Sequence, residues 1–147
     1  MRGTLMCAVT GSAESDDALA LGADLSERLG LRLVLAHALD ELDEVDDGDY
    51  GASLMEATRQ GAELLAQLAH EHGVADRAEK RVAVGEPAAL LGQIAAEEAA
   101  DVIVVGARAR GWRKRLESNL ADQLETETPV PVLIAPPRRR SARETRS

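Results

Sequence analysis

Short apolar runs alternate with stretches in which apolar residues recur every three or four positions, and a chain that repeats this switch up to residue 135 has few folds open to it. Thr4 to Thr10 (TLMCAVT), Leu31 to Leu39 (LRLVLAHAL), Glu79 to Val84, Asp101 to Val105 (DVIVV) and Pro129 to Ala135 (PVPVLIA) read as five strands. Ala18, Leu21, Gly22, Leu25 and Leu29 form the apolar face of a first helix, and Leu54, Ala57, Gly61, Leu64, Leu65 and Leu68 that of a second, running from about Ala52 to Glu71. Leu90, Leu91, Ile94 and Ala95 mark a third, and Leu116, Leu120 and Leu124 a fourth. A run as apolar as DVIVV suits a strand covered on both faces, and strands separated by helices pair in parallel through right-handed crossovers. The expectation is an α/β fold: one domain with a doubly wound sheet of five parallel strands.

The punctuation agrees. Gly11 and Ser12 form a turn after the first strand, Ser15 is a candidate N-cap with Asp16 and Asp17 in the first helical turn, and Gly30 and Gly73 stop helices. Pro87 after Gly85 and Glu86 suits the first position of the third helix. Two prolines at the start of the last strand favour an edge position. Asp40 to Asp49 has no apolar face and reads as a solvated loop, as does the basic segment from Ala107 to Glu117. In such sheets ligands bind outside the carboxyl ends of the strands at the switch point, here bordered by the turn after strand one and the loop after strand four.

Composition narrows the partners. The 147 residues contain no Phe, with Tyr50 and Trp112 the sole aromatics, so the core is aliphatic and stacking surfaces for bases or sugars are lacking. The formal charge is −9; residues 137–147 hold five Arg against one Glu, which leaves the body near −13 (−9 minus +4) and argues against nucleic acid as a partner. The lone Cys7 sits in a strand that should be buried, which points to a reducing compartment, and no run is long enough for membrane insertion or a signal peptide. A soluble cytoplasmic protein is expected.

Chemistry-bearing side chains are few. His37, near the end of the second strand, reads as a satisfied interior residue. His70 and His72 lie two apart on a helix, so they should project from different faces, exposed, without sharing a metal. The acidic stretch lacks the alternating ligands of a calcium loop. No Ser or Cys has a His and carboxylate arranged around it, no Gly-x-Ser-x-Gly elbow exists, and no enzyme activity is expected.

Three segments in order, CAVTGSAESDDAL, VGEPAALLGQIAAEEAADVIVVGARARG and PVPVLIAPP, resemble the universal stress protein family over about the first 135 residues. The resemblance implies a Rossmann-like three-layer sandwich with strand order 3-2-1-4-5 in residues 1–136, and a homodimer. By composition the Arg-rich residues 137–147 read as a disordered tail, and the last strand, at Val130, Val132 and Ile134, is the expected seam, because a two-fold partner would satisfy its edge. Many members of that family bind ATP through a Gly-x2-Gly-x9-Gly-Ser/Thr loop after the fourth strand, helped by an Asp at the end of the first. Here Gly106 is kept, but Ala109, Ser118 and Asn119 stand at the next three motif positions and Thr10 at the aspartate. Trp112 resembles the branch that does not retain ATP, whereas Arg108, Arg110, Arg113, Lys114 and Arg115 make the loop attractive to anions. A nucleotide, if bound, would meet Thr10, Gly11, Ala38, Gly106, Arg108, Ser118 and Asn119. The leading expectation is therefore a dimeric stress-response or regulatory module that acts through protein partners, with no cofactor required. The alternative is an ATP- or AMP-binding sensor.

Overall fold

The computed structural model describes residues 3–10, 13–39, 50–107 and 120–137, of which 13, 14 and 50–53 are described by backbone alone. Five strands and four helices alternate among these residues: β1 (Thr4–Val9), α1 (Ala13–Leu29), β2 (Arg32–Leu39), α2 (Tyr50–Glu71), β3 (Ala78–Val84), α3 (Pro87–Glu97), β4 (Val102–Gly106), α4 (Leu120–Glu127) and β5 (Val132–Ala135). All neighbours pair in parallel, in the order β3-β2-β1-β4-β5. This is the Rossmann-like architecture expected from the sequence. The acidic stretch 40–49, the basic loop with Arg108, Ser118 and Asn119, Gly11, Ser12 and the tail from 138 lie outside the described residues.

The pleat sorts the strand residues into two cores. Leu5, Cys7 and Val9 of β1, with Leu33 and Leu35 of β2, point to one face and meet Ala18 and Leu19 of α1 and Leu65, Leu68 and Ala69 of α2. Met6 and Ala8, with Val34, Ala36, Ile103 and Val105, point to the other and meet Leu91, Ile94 and Ala95 of α3 and Ala121 and Leu124 of α4. Both faces of β1 are closed: each of its residues is buried, which is why its sequence shows no polar alternation.

Close approaches explain two glycines. A β-carbon on Gly22 would lie 2.2 Å from Cys7 Sγ, so α1 sits on β1 only because position 22 has no side chain. Gly92 lets α3 cross α4 beside the Glu127 backbone.

The buried face of α1 differs from the one read in the sequence. Ser15, Ala18, Leu19, Gly22 and Ser26 are buried, Leu21 and Leu25 are half-buried, and Leu29 is 65% exposed. Ser26 takes an inward place because its hydroxyl is satisfied twice, donating to Ala23 O and accepting from Arg77 Nη1, both at 3.0 Å. The helix ends at Gly30, with φ 69, before Leu29 can reach the sheet.

Ser15 is also recast. The helix already starts at Ala13, and Ser15 Oγ accepts the Thr10 N–H at 2.8 Å, tying the first turn of α1 back to the end of β1 where the ladder has run out. At α3 the cap is Glu86, whose carboxylate accepts the Ala89 N–H at 2.8 Å, with Pro87 opening the helix.

Candidate functional site

The carboxyl ends of β1 and β4 part company. β1 stays paired with β2 as far as Val9 and His37, but its pairing with β4 stops at Cys7 and Val104, although β4 continues to Gly106. The strand ends therefore part at the switch of strand order, and it is in the crevice at such a switch that parallel sheets receive ligands.

The described lining is small and neutral. Thr10 is exposed at the end of β1, with Oγ1 3.2 Å from Ser15 Oγ. Gly106 is half-buried and paired with Ala135, and the next N–H, from Ala107, donates to Ala135 O at 3.1 Å, so the end of β4 is pinned towards β5. Ala38 is half-buried one strand beyond β1, opposite Ala83 of β3, and packs with the α3 and α4 layer. Thr10 and Gly106 thus flank the crevice, while Ala38 stands to one side. Gly11, Arg108, Ser118 and Asn119 fall outside the described residues.

His37, near the end of β2, is 5% exposed, and its Nδ1 lies 2.7 Å from Val9 O; a carbonyl only accepts, so Nδ1 carries the proton. Gly61 of α2 makes room, since a β-carbon there would lie 3.2 Å from the ring. The interior, satisfied histidine read from the sequence is what the structure contains, and it fixes the last peptide of β1. Asp17, buried in the first turn of α1 at 7% exposure, is a residue sequence reasoning placed only as a helix-dipole partner.

The other histidines separate as their spacing implied, with one correction. His70 is exposed, but the His72 side chain is only 13% exposed and its Nε2 lies 3.0 Å from Asp16 Oδ1 on α1. The chain turns at Gly73, with φ 71, and this folds His72 back against α1. Among the described residues no group of three or more His, Cys, Asp and Glu could hold a metal. Cys7 is fully buried, its Sγ 3.6 Å from Ala18 O, and burial pushes its thiol up to about 12. It is no nucleophile.

Of the three residues expected at a dimer seam, Val130 and Val132 are half-buried against the α3 and α4 layer and Ile134 is 49% exposed. Leu133, which the sequence reading passed over, is 40% exposed on the opposite face of β5. No helix among the described residues is long and apolar enough to cross a membrane.

A parallel sheet of this order with a crevice between β1 and β4 defines the doubly wound α/β proteins. Within that class the chain belongs to the universal stress protein family, whose sequence profile matches residues 1–136. No curated protein matches it at a significant level. Among solved structures, hypothetical protein MJ0577 superposes with a TM-score of 0.75 at 15% identity, covering 95% of this chain and 99% of that one. A universal stress protein in complex with cAMP gives 0.69 at 21% identity, covering 88% of this chain and 95% of that one. The universal stress protein from Archaeoglobus fulgidus in complex with dAMP gives 0.63 at 19% identity, covering 90% and 96%.

Proposed function

We propose that this chain is a homodimeric stress-response module of the cytoplasm that acts by binding protein partners and not by catalysis, with nucleotide binding weak or absent. The observation that carries this reading is Thr10. At the end of β1, where the resemblance to ATP-binding members of the family implies an aspartate, stands a neutral hydroxyl 3.2 Å from Ser15 Oγ, with its N–H given to the same serine. A missing charged hydrogen bond is worth about 1.5–3 kcal/mol, and the loss of motif glycines at 109 and 118 adds to it. For the dimer, the support is β5: an edge strand with Leu133 and Ile134 exposed, whose outer backbone groups a two-fold partner would satisfy.

A second reading, a nucleotide-binding sensor, is favoured by the relatives in complex with cAMP and with dAMP, which share the fold. Their ligands, the parted ends of β1 and β4, and the basic residues from 108 to 115 together support an adenine nucleotide at the crevice of this chain. Titration calorimetry with ATP and magnesium separates the two. The module predicts no heat even at millimolar ATP; micromolar binding that is abolished by Arg108→Ala together with Arg110→Ala establishes the sensor.

A further inference from the structure

The connection from α3 to β4 passes the amino-terminal pole of the sheet, and two carboxylates hold it there. Glu98, directly after α3, has its side chain 16% exposed and lies between two guanidinium groups, Arg32 of β2 at 3.0 Å and Arg81 of β3. Arg32 also donates to the Glu98 backbone O at 2.9 Å and to Thr4 Oγ1 at 3.2 Å. Three residues on, Asp101 Oδ2 accepts the Thr4 N–H at 2.8 Å. Between these anchors sits Ala99 with φ 55, a left-handed conformation that a β-carbon disfavours. The turn is thus fixed by its two anchors against the preference of its middle residue.

We propose that Glu98, gripped between Arg32 and Arg81, is an acid-sensitive latch: protonating it frees the turn from Glu98 to Ala100 between α3 and β4, while α3 stays tied to β3 through Glu97 and the sheet stays closed. Opening is local because neither arginine is orphaned by it. Arg32 keeps Glu79 at 2.7 Å, and Arg81 keeps Glu97 at 2.6 Å, itself steadied by Gln93. An arginine left without a partner would instead resist release. Arg81 first, then Arg32, hold the Glu98 carboxyl below its ordinary value of 4.5. A carboxyl so depressed contributes its stability in full above 4.5 and loses it as the pH falls through the lower, folded value. The latch is therefore shut at neutral pH and opens on acidification.

Amide hydrogen exchange of the full chain tests this. In the wild type, protection at Glu98, Ala99 and Ala100, whose N–H groups bond Ile94 O, Ala96 O and Ala95 O, should fall on going from pH 6 to pH 3.5 after correction for intrinsic rates. In Glu98→Gln these amides should already exchange about tenfold faster at pH 7 and change little with acid, with β1 and β2 unaffected. Glu79→Gln, which strips only the outer partner of Arg32, should leave them as protected as in the wild type. Unchanged protection in Glu98→Gln, a loss spread equally over β1 and β2, or global unfolding of that variant overturns the latch.

Discussion

Cys7 and Gly22 share one space, and neither residue's role was visible alone. Position 22 reads as part of an apolar helix face, but the 2.2 Å gap to Sγ depends on how α1 lies across β1, which no periodicity encodes. Gly22→Ala should destabilise the fold by about 1–3 kcal/mol through overpacking, and Cys7→Ala in the same chain should recover part of it; denaturant titration of the two single variants and the double measures the coupling. The thiol itself, with its proton held to about 12 and no exposure, should resist a disulfide reagent at pH 8 in the native protein and react at once in denaturant. His37 was more legible. A polar residue near the end of a buried strand must find a partner, and a neighbouring carbonyl is the nearest one.

Three helices end in the same way, with a left-handed residue and backbone bonds folding back over the last turn. At α1 the residue is Gly30 and Leu31 N–H bonds Ser26 O; at α2 it is Gly73 and Val74 N–H bonds Ala69 O; at α3 it is Ala99 and Ala100 N–H bonds Ala95 O. The two glycines announced their stops in the sequence. The third was hidden because alanine is a strong helix former and gives no such signal. Ala99→Gly removes a left-handed cost of about 1–2 kcal/mol and adds about 0.5–1 kcal/mol of chain entropy, so it should stabilise the chain by about 0.5–1 kcal/mol, read as a rise in thermal midpoint; no rise would mean that the strain is not stored there. Helix starts were less legible than ends. Ser15 has a capping residue's chemistry but spends it on Thr10, a bond between strand and helix that local sequence rules do not contain.

At the scale of the whole molecule, element types and their order followed from the alternation of apolar runs, while the strand order came with the family resemblance; both are what the sheet has. What could not be read was how edge residues divide between core and solvent. Val130 and Val132 support the α3 and α4 layer, so a charge at Val132 would damage the fold as well as any seam. Ile134→Lys is the cleaner probe of the proposed dimer: it should give folded monomers by light scattering, with the circular dichroism of the parent, whereas an unchanged dimer would place the seam elsewhere. The crevice was located by the switch of strand order, yet its character rests on single residues such as Thr10, which is why an α/β sheet of this topology does not by itself decide between a nucleotide sensor and a binding module. A native mass spectrum of the purified full chain tests that choice most directly, because it counts subunits and weighs anything they carry. The account predicts twice the 15.6 kDa chain mass with nothing added. A species heavier by one adenine nucleotide per chain, or a lone monomer, would contradict it.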